Sequence, residues 1–170
     1  MIYAQIHTFN GNQQTIAARL DQPDASWIGY DVPSADWLSL VNGAIVVATV
    51  DPAIAQTQAS QSALMSSECK NAIEGGFSSA ALGTSYNYGC KATDQANLNL
   101  FATIDGGNIW CQNGTGTWAL VPHSLAQAQQ VQKDMAAHIQ AQQATYAKAL
   151  SDIAAATTVS GVEAVTWAAP

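Results

Sequence analysis

Charged side chains are scarce in this sequence. They make up 10% of its 170 residues, whereas an average soluble domain has roughly 25%. Glutamine, asparagine, serine and threonine must therefore supply most of the hydrophilic surface. Weakly charged surfaces suit large assemblies, because repeated subunits with strong like charge would repel one another. The composition thus favours a protein that is built into an assembly.

Basic residues are especially few, which argues against two classes of partner. The chain contains five lysine and arginine residues, spread singly, and its formal net charge is −7. Nucleic-acid-binding proteins neutralise phosphates with a basic patch or stripe. Binding to an anionic membrane surface needs the same feature. We therefore predict no nucleic-acid partner and no membrane partner.

Long apolar runs are also missing. Residues 1–5 lack the basic segment and apolar core of a signal peptide. The longest apolar stretch, residues 44–50, is interrupted by Thr49 and is too short to span a bilayer. These features predict a protein that is made in the cytoplasm and leaves it only as part of a particle.

Cysteine pairs are absent as well. Cys69, Cys90 and Cys111 are odd in number and form no CxxC motif. In a cytoplasmic setting we expect free, partly buried thiols, with a Cys90–Cys111 bridge as the alternative. Zinc would need more ligands than these three and His123 provide. No metal and no cofactor is therefore predicted.

Residues that could carry catalysis do not form a motif. The acidic residues near the N-terminus are Asp21, Asp24, Asp31 and Asp36. Paired carboxylates can serve a glycosidase, but each of these lies near a turn-forming residue, where aspartate bonds to the local backbone. His7, His123 and His138 lack metal-site spacing, and no GxSxG occurs. We predict that the chain is not an enzyme, that His123 is a turn residue, and that His138 lies on the polar side of a helix.

Residues 1–50 are predicted to form a small antiparallel β unit for attachment or interaction. Apolar and polar residues alternate over residues 2–7, as in a half-buried strand. A turn signal at residues 10–12 leads to a returning strand at residues 15–20.

A second strand pair is predicted in the same unit. Its candidates are residues 26–32 and 44–50, with Asn42–Gly43 as a turn signal before the latter. A β unit with so few strands is only marginally stable in isolation. The unit is therefore expected to pack on a partner or on the rest of the chain.

Residues 51–64 are predicted as a helix or a linker. Asp51 and Pro52 are typical of a helix start, and Gly75–Gly76 is typical of a helix end. The glutamine, serine and alanine residues between 56 and 62 suit a linker instead.

Residues 65–170 are predicted to form a mainly helical domain. Its first part is a short helix capped by Thr93 or Asp94. A hairpin around the Gly/Asn turn at residues 113–116 follows, and it carries Trp110 and Trp118.

A long helix with one apolar face is the main element of this domain. It begins at Ser124, a good N-cap, and ends near residue 158, after which Ser160 opens a last short helix. Its apolar residues are spaced for a single helix face. They are Ala128, Val131, Met135, Ile139, Tyr146, Leu150 and Ile153. This face favours self-association as a bundle or coiled coil, or packing on the preceding helices.

The fold class that follows is α+β. A small N-terminal antiparallel β unit precedes a mainly helical C-terminal domain with a short hairpin and one long helix.

Large aromatic side chains are candidates for the core and for interfaces. Those best suited to a partner are Trp27, Tyr30, Trp37, Trp110 and Trp118. Aromatic faces suit carbohydrate and protein alike, and tryptophan and tyrosine dominate interface hot spots. The long helix adds Val131, Met135, Ile139, Tyr146, Leu150 and Ile153 to these interface candidates.

The C-terminal part carries a resemblance to a known family. Residues 146–158, YAKALSDIAAATT, lead to VEAV at residues 162–165. A short helix after an aspartate, a turn with Trp118 and a helix opened by Ser124 precede them. By these marks residues 65–167 resemble a domain of unknown function in tail-fibre and tail-fibre assembly proteins of bacteriophages.

The resemblance implies a place in a phage tail and assigns no catalytic residue. The first expectation is a virion structural component, in the tail fibre, tail tip or baseplate, that binds other tail proteins. It would be a homo-oligomer, with a trimer expected because fibres are commonly trimeric. The alternative is a tail-fibre assembly chaperone that leaves before the virion is complete. A tail enzyme that degrades cell-wall glycan ranks below both.

Overall fold

The computed structural model describes residues 1–9, 13–20, 24–48 and 50–170. The protein is α+β, with antiparallel strands at the N-terminus followed by a mainly helical part, which confirms the predicted fold class. It divides into two compact units, Met1–Gln58 (unit 1) and Ala59–Pro170 (unit 2). No helix in the described ranges combines the length and the apolar character that crossing a bilayer requires.

The described part of unit 1 forms two antiparallel sheets. Its strands are β1 (Ile2–Phe9), β2 (Gln13–Arg19), β3 (Ile28–Tyr30), β4 (Leu38–Val41) and β5 (Ala44–Val47). The first sheet has the order β2-β1-β3, and the second pairs β4 with β5. β1 and β2 form the predicted antiparallel pair, with Ile6 opposite Ile16. The predicted turn at residues 10–12 lies outside the described residues.

The predicted pairing of residues 26–32 with residues 44–50 is wrong. β3 instead pairs with β1, and β5 pairs with β4. Asn42 and Gly43 have φ angles of 50° and 78°, which suit a two-residue hairpin turn. That turn joins β5 to the strand immediately before it, so residues 44–47 are no longer available to β3.

A small apolar core holds unit 1 together. Its fully buried residues are Ile2, Ala4, Val32 and Leu38. Side chains that remain partly exposed, among them Tyr30 and Trp37, pack against this core. Unit 1 therefore buries few large side chains completely.

A turn role for the N-terminal acidic residues is confirmed at Asp24. Oδ1 of Asp24 accepts a hydrogen bond from the hydroxyl of Ser26. It also accepts one from the backbone N of Ser26, at an N–O distance of 2.8 Å. These two hydrogen bonds lower the pKa of Asp24, because they favour the ionised carboxylate. Asp21, the first member of the predicted cluster, lies outside the described residues.

From residue 52 onward, the chain alternates helices with the strands of a third sheet. The elements are α1 (Pro52–Glu74), β6 (Phe77–Ser79), β7 (Tyr86–Tyr88), α2 (Ala92–Phe101), β8 (Gly107–Gln112), β9 (Trp118–His123), α3 (Leu125–Ala155) and α4 (Val159–Glu163). The third sheet is antiparallel in the order β6-β7-β8-β9. Helix α1 occupies the segment predicted as helix or linker, and the boundary between the units lies inside it.

Polar side chains at the helix starts explain where the helices begin. Oδ1 of Asp51 accepts a hydrogen bond from N of Ala53 at 2.9 Å, and Ser124 accepts one from N of Gln127 at 3.3 Å, as predicted. Two predicted caps are wrong. Asp94 lies within the first turn of α2, where it accepts a hydrogen bond from N of Lys91 at 3.0 Å, and Thr158 rather than Ser160 caps α4.

The core of unit 2 lies between the inner face of the sheet and helix α3. Its buried residues are Phe77, Tyr88, Cys90, Leu98, Ile109, Cys111, Ala128, Val131 and Met135. Cys69, Cys90 and Cys111 carry free, buried thiols, so the alternative Cys90–Cys111 bridge is not formed. Burial raises the pKa of each of these three thiols, because the thiolate is the poorly solvated form.

Candidate functional site

The outer face of the sheet in unit 2 carries large apolar side chains in contact with solvent. Ile109 and Cys111 of β8 are buried, so the side chains between them project to the opposite face. Trp110 is 55% exposed, and its cross-strand partner Leu120 is 60% exposed. Trp118 is 41% exposed. Fully folded chains leave few such side chains grouped on one face unless they bind something.

A row of polar side chains crosses the same face. The strand register places Ser78, Asn87, Gln112 and Trp118 side by side across the four strands. Oγ of Ser78 donates a hydrogen bond to Oδ1 of Asn87 at 2.7 Å, and Nδ2 of Asn87 donates one to Oε1 of Gln112 at 3.2 Å. Nε2 of Gln112 then donates one to the carbonyl oxygen of Gly116 at 2.9 Å. This amide row is held in place along its length.

The two indoles and the amide row lie in a groove with a volume of about 780 Å³, which we call the tryptophan groove. Trp110, Trp118 and the amide row line it. The end of α1 at Glu74 and the start of α2 at Lys91 and Asp94 also line it. Ligand sites in proteins commonly have volumes of about 300–1,000 Å³. The groove is thus large enough for a small ligand.

Two glycines permit the close backbone approach that shapes this groove. Gly76 has a φ angle of 95°, and a Cβ there would lie 2.5 Å from the carbonyl oxygen of Tyr88. A Cβ on Gly89 would lie 2.5 Å from Oδ2 of Asp94. A larger residue at Gly76 would therefore push β7 away from the end of α1, and one at Gly89 would displace the carboxylate of Asp94.

Buried hydrogen bonds support the sheet from its inner side. The hydroxyl of Tyr88 lies 2.8 Å from Nε2 of His123, and Nδ1 of His123 lies 2.8 Å from the carbonyl oxygen of Val121. Because that carbonyl can only accept, Nδ1 carries the hydrogen, and Nε2 accepts from the tyrosine hydroxyl. Burial is the main reason that the pKa of Tyr88 is raised. His123 is therefore a buried core residue, which corrects its prediction as a turn residue.

His138 holds the end of α1 beside the groove. Its Nε2 lies 3.2 Å from the carbonyl oxygen of Ala72 and 3.3 Å from that of Ile73. Carbonyl groups in the last turn of a helix have no partner within the helix, and the imidazole N–H supplies one. The His138 ring also stacks on Phe77, with ring centroids 6.0 Å apart. The prediction of a polar, outward position for His138 is wrong for this reason.

The nucleophilic side chains near the groove are buried or hydrogen-bonded. The thiols of Cys90 and Cys111 are buried and have raised pKa values. The acceptor nitrogen of His123 is occupied by the hydroxyl of Tyr88. In the parts of the chain that the structure describes, no group of three or more His, Cys, Asp or Glu side chains could hold a metal ion. The groove offers a ligand indole faces, side-chain amides and the charged groups of Glu74, Lys91 and Asp94.

The structure brings Trp110 and Trp118 together and leaves the other aromatic candidates in unit 1. Trp27, Tyr30 and Trp37 are partly buried there. The ring of Trp27 lies near that of His7, with centroids 6.1 Å apart.

The apolar face of α3 serves the core of its own unit. Val131 and Met135 are buried in the core, and Ile139 packs against it. Ile153 is buried as well, while Tyr146 and Leu150 are half-buried. This corrects the listing of Val131, Met135 and Ile153 as interface candidates, because a residue buried in its own unit cannot contact a partner.

Sequence reasoning missed the amide row. The sequence pattern that could have predicted part of the row is in β8. There Asn108, Trp110 and Gln112 alternate with the buried Ile109 and Cys111. That alternation assigns a face to each residue. It does not show that β7 lies next to β8 and adds Asn87, because α2 separates these strands in the sequence.

Comparison with models of known protein families shows which family the chain belongs to. A family model for a domain of unknown function, DUF4376, matches residues 56–166. The chain belongs to this family. The DUF4376 match contains the tryptophan groove and leaves out all five strands of unit 1.

Comparisons with curated proteins and with solved structures give no match.

Proposed function

We propose that the protein is a structural component of a bacteriophage tail, located in the tail fibre, tail tip or baseplate. It mediates protein–protein assembly, and its partners are other tail proteins and further copies of itself. The phage context comes from the resemblance of residues 65–167 to tail-fibre-associated domains. Membership of DUF4376 adds no activity to this proposal, because the function of that domain is unknown.

An exposed apolar hairpin in unit 1 carries the proposal of an assembly role. Val41 is 49% exposed and Val46 is 44% exposed, and the register of β4 and β5 places both on one face, with Ser39 and Ala44. We call these four residues the valine face. A two-stranded sheet is marginal alone, and this one packs on a core with few fully buried residues. Burial of the valine face by a partner would stabilise unit 1.

The edge of this hairpin supports the same proposal. The described part of the second sheet contains β4 and β5 alone, so neither strand is enclosed between two others. Uncovered edges with apolar side chains readily pair with another chain. Proteins that remain monomeric usually protect such edges with lysine or proline, and neither occurs in β4 or β5.

The solution mass of the purified chain tests this proposal. We expect the wild type to be a homo-oligomer, with a trimer as the expected state. Val46→Lys places a charge on the valine face, where it would lose its water on association, and we expect a shift to monomer. Leu64→Lys is the matched control, because Leu64 is 47% exposed on α1 outside unit 1. We expect it to keep the wild-type mass.

A wild-type chain that is monomeric at all concentrations would contradict self-assembly through the valine face. It would favour the tail-fibre assembly chaperone, which acts on a partner and is not retained in the virion. An oligomer that survives Val46→Lys but not Leu64→Lys would place the interface elsewhere.

A further inference from the structure

We infer that the tryptophan groove is a binding site for a neutral oligosaccharide. The site lies wholly in unit 2, so the inference goes beyond the proposed assembly role and does not depend on the valine face. Four properties of the groove lead to it: the exposed indoles, the amide row, the balance of charge and the dimensions.

The two indoles supply faces on which sugar rings can stack. Trp110 and Trp118 lie on adjacent strands of one sheet face, with Trp118 opposite Gln112, two residues along β8 from Trp110. Such diagonal neighbours are about 7–8 Å apart. Both remain largely open to solvent, and neither belongs to the buried core of unit 2. Aromatic rings present a broad apolar face to the C–H groups on one side of a pyranose ring.

The amide row offers hydrogen bonds of both kinds beside these rings. A side-chain amide can donate two hydrogen bonds and accept two. Asn87 and Gln112 each use one donor hydrogen and one acceptor position within the row. One donor and one acceptor position remain on each side chain. Sugar hydroxyls both donate and accept, so neighbouring hydroxyls can bond to this row in either direction.

The charges around the groove argue against an acidic ligand. Glu74 and Asp94 are acidic, and Lys91 is the basic side chain that lines the groove. An acidic saccharide or a phosphate ligand would need more basic than acidic groups. The lining has one basic and two acidic side chains. The lining also contains two indoles and two side-chain amides. The core of a protein interface is usually more apolar, which makes a protein segment the less suitable ligand.

The dimensions fit a ligand of a few sugar rings. The groove has a volume of about 780 Å³, and a di- or trisaccharide can bridge two diagonal positions about 7–8 Å apart. A smaller hollow of about 250 Å³ also borders Trp110, and Leu98, Phe101 and Leu120 are among its lining residues. The amide row does not line that hollow. Leu120 is therefore exposed on the same sheet face but lies outside the groove.

Binding of the full-length chain to printed oligosaccharides tests the inference. The array carries neutral glucans, galactans and N-acetylhexosamine oligomers beside sialylated and uronic-acid oligomers. The neutral trisaccharide bound best is then titrated against the chain, with tryptophan fluorescence and calorimetry as readouts. We expect saturable binding of a neutral oligosaccharide and weaker or no binding of its charged counterparts.

Substitutions on the sheet face make the test specific. We expect Trp110→Ala and Trp118→Ala each to weaken binding roughly tenfold or more, because each removes one stacking face. Trp118→Phe should retain part of the affinity. Asn87→Ala should weaken binding without changing the fluorescence of the free protein. Leu120→Ala is the matched control, since it removes an equally exposed apolar side chain outside the groove, and its affinity should stay within about twofold of the wild type.

Two results would overturn the inference. One is the absence of binding to every neutral oligosaccharide on the array by a chain whose circular dichroism and melting are normal. The other is binding that Trp110→Ala and Trp118→Ala leave unchanged, or that Leu120→Ala abolishes equally, which would indicate a general apolar patch for a protein partner. Neither result affects the solution mass, so the assembly proposal is judged separately.

Discussion

Single buried side chains in unit 2 determine whether the sheet presents its outer face correctly. Tyr88 is 1% exposed and stacks on Phe77, with ring centroids 5.6 Å apart. Its hydroxyl lies 2.8 Å from Nε2 of His123, whose other nitrogen bonds to Val121. These contacts join β7 to β9 beneath β8. The position of the amide row therefore depends on these buried contacts.

Tyr88→Phe should destabilise the protein. The substitution keeps the ring packing but leaves Nε2 of His123 buried without its donor, which costs about 1–3 kcal/mol. We expect the midpoint of urea unfolding to fall accordingly. Tyr86→Phe is the control, because Tyr86 lies on the same strand and is only partly buried. Equal stability of the two variants would show that the Tyr88–His123 hydrogen bond contributes nothing.

Gln142→Leu should stabilise the protein. Gln142 is buried in α3, and its Oε1 has no hydrogen-bond partner among the described residues. A buried acceptor without a donor is unfavourable, so an apolar side chain of similar size should raise the free energy of unfolding by about 1 kcal/mol. Gln143→Leu, at the exposed neighbouring position, should have little effect in the same urea titration. A loss of stability in Gln142→Leu would show that the amide has a partner in solution.

At the scale of elements, local signals predict starts, ends and turns well. The N-cap at Ser124, the turn at Asn42–Gly43 and the helix end before Gly75 each depend on a few adjacent residues. The spacing of apolar residues along α3 likewise identifies the face that is buried. These features could be predicted because neighbouring residues decide them.

Features that depend on distant residues could not be predicted in the same way. The pairing of β3 with β1 and of β7 with β8 is set by packing between segments far apart in the sequence. The sequence also does not show what the apolar face of α3 packs against. An apolar stripe can pack equally well on a neighbouring chain or on a sheet of its own chain. The amide row, the core of the candidate site, arises only once β7 and β8 are adjacent.

The connection between α2 and β8 gives a test at this scale. Gly106 has a φ angle of 75°, and a Cβ there would lie 2.2 Å from the carbonyl oxygen of His123. Gly106→Ala should therefore destabilise the protein by about 2 kcal/mol or more, from backbone strain and displacement of β9. Gly114→Ala is the control, because a Cβ there meets no described atom beyond its chain neighbours within 4 Å. Similar melting temperatures for both variants would contradict the close approach of Gly106 to β9.

At the scale of the whole molecule, the two units differ in how their apolar residues are used. Unit 2 buries the apolar face of α3 beneath its sheet and exposes a groove of aromatic and amide groups. Unit 1 has a small core and an exposed valine face. We propose that unit 1 serves attachment and that unit 2 serves ligand recognition. The low content of charged residues suits a subunit repeated within an assembly.

The composition of purified phage particles tests the central claim most directly. Particles from infected cells would be purified, and this chain quantified by mass spectrometry in the particles and in the cleared lysate. The account predicts that the chain is present in the particles, at a copy number that matches the rotational symmetry of the tail. Its absence from particles, together with its abundance in the lysate, would contradict a structural role and leave the assembly chaperone as the better explanation.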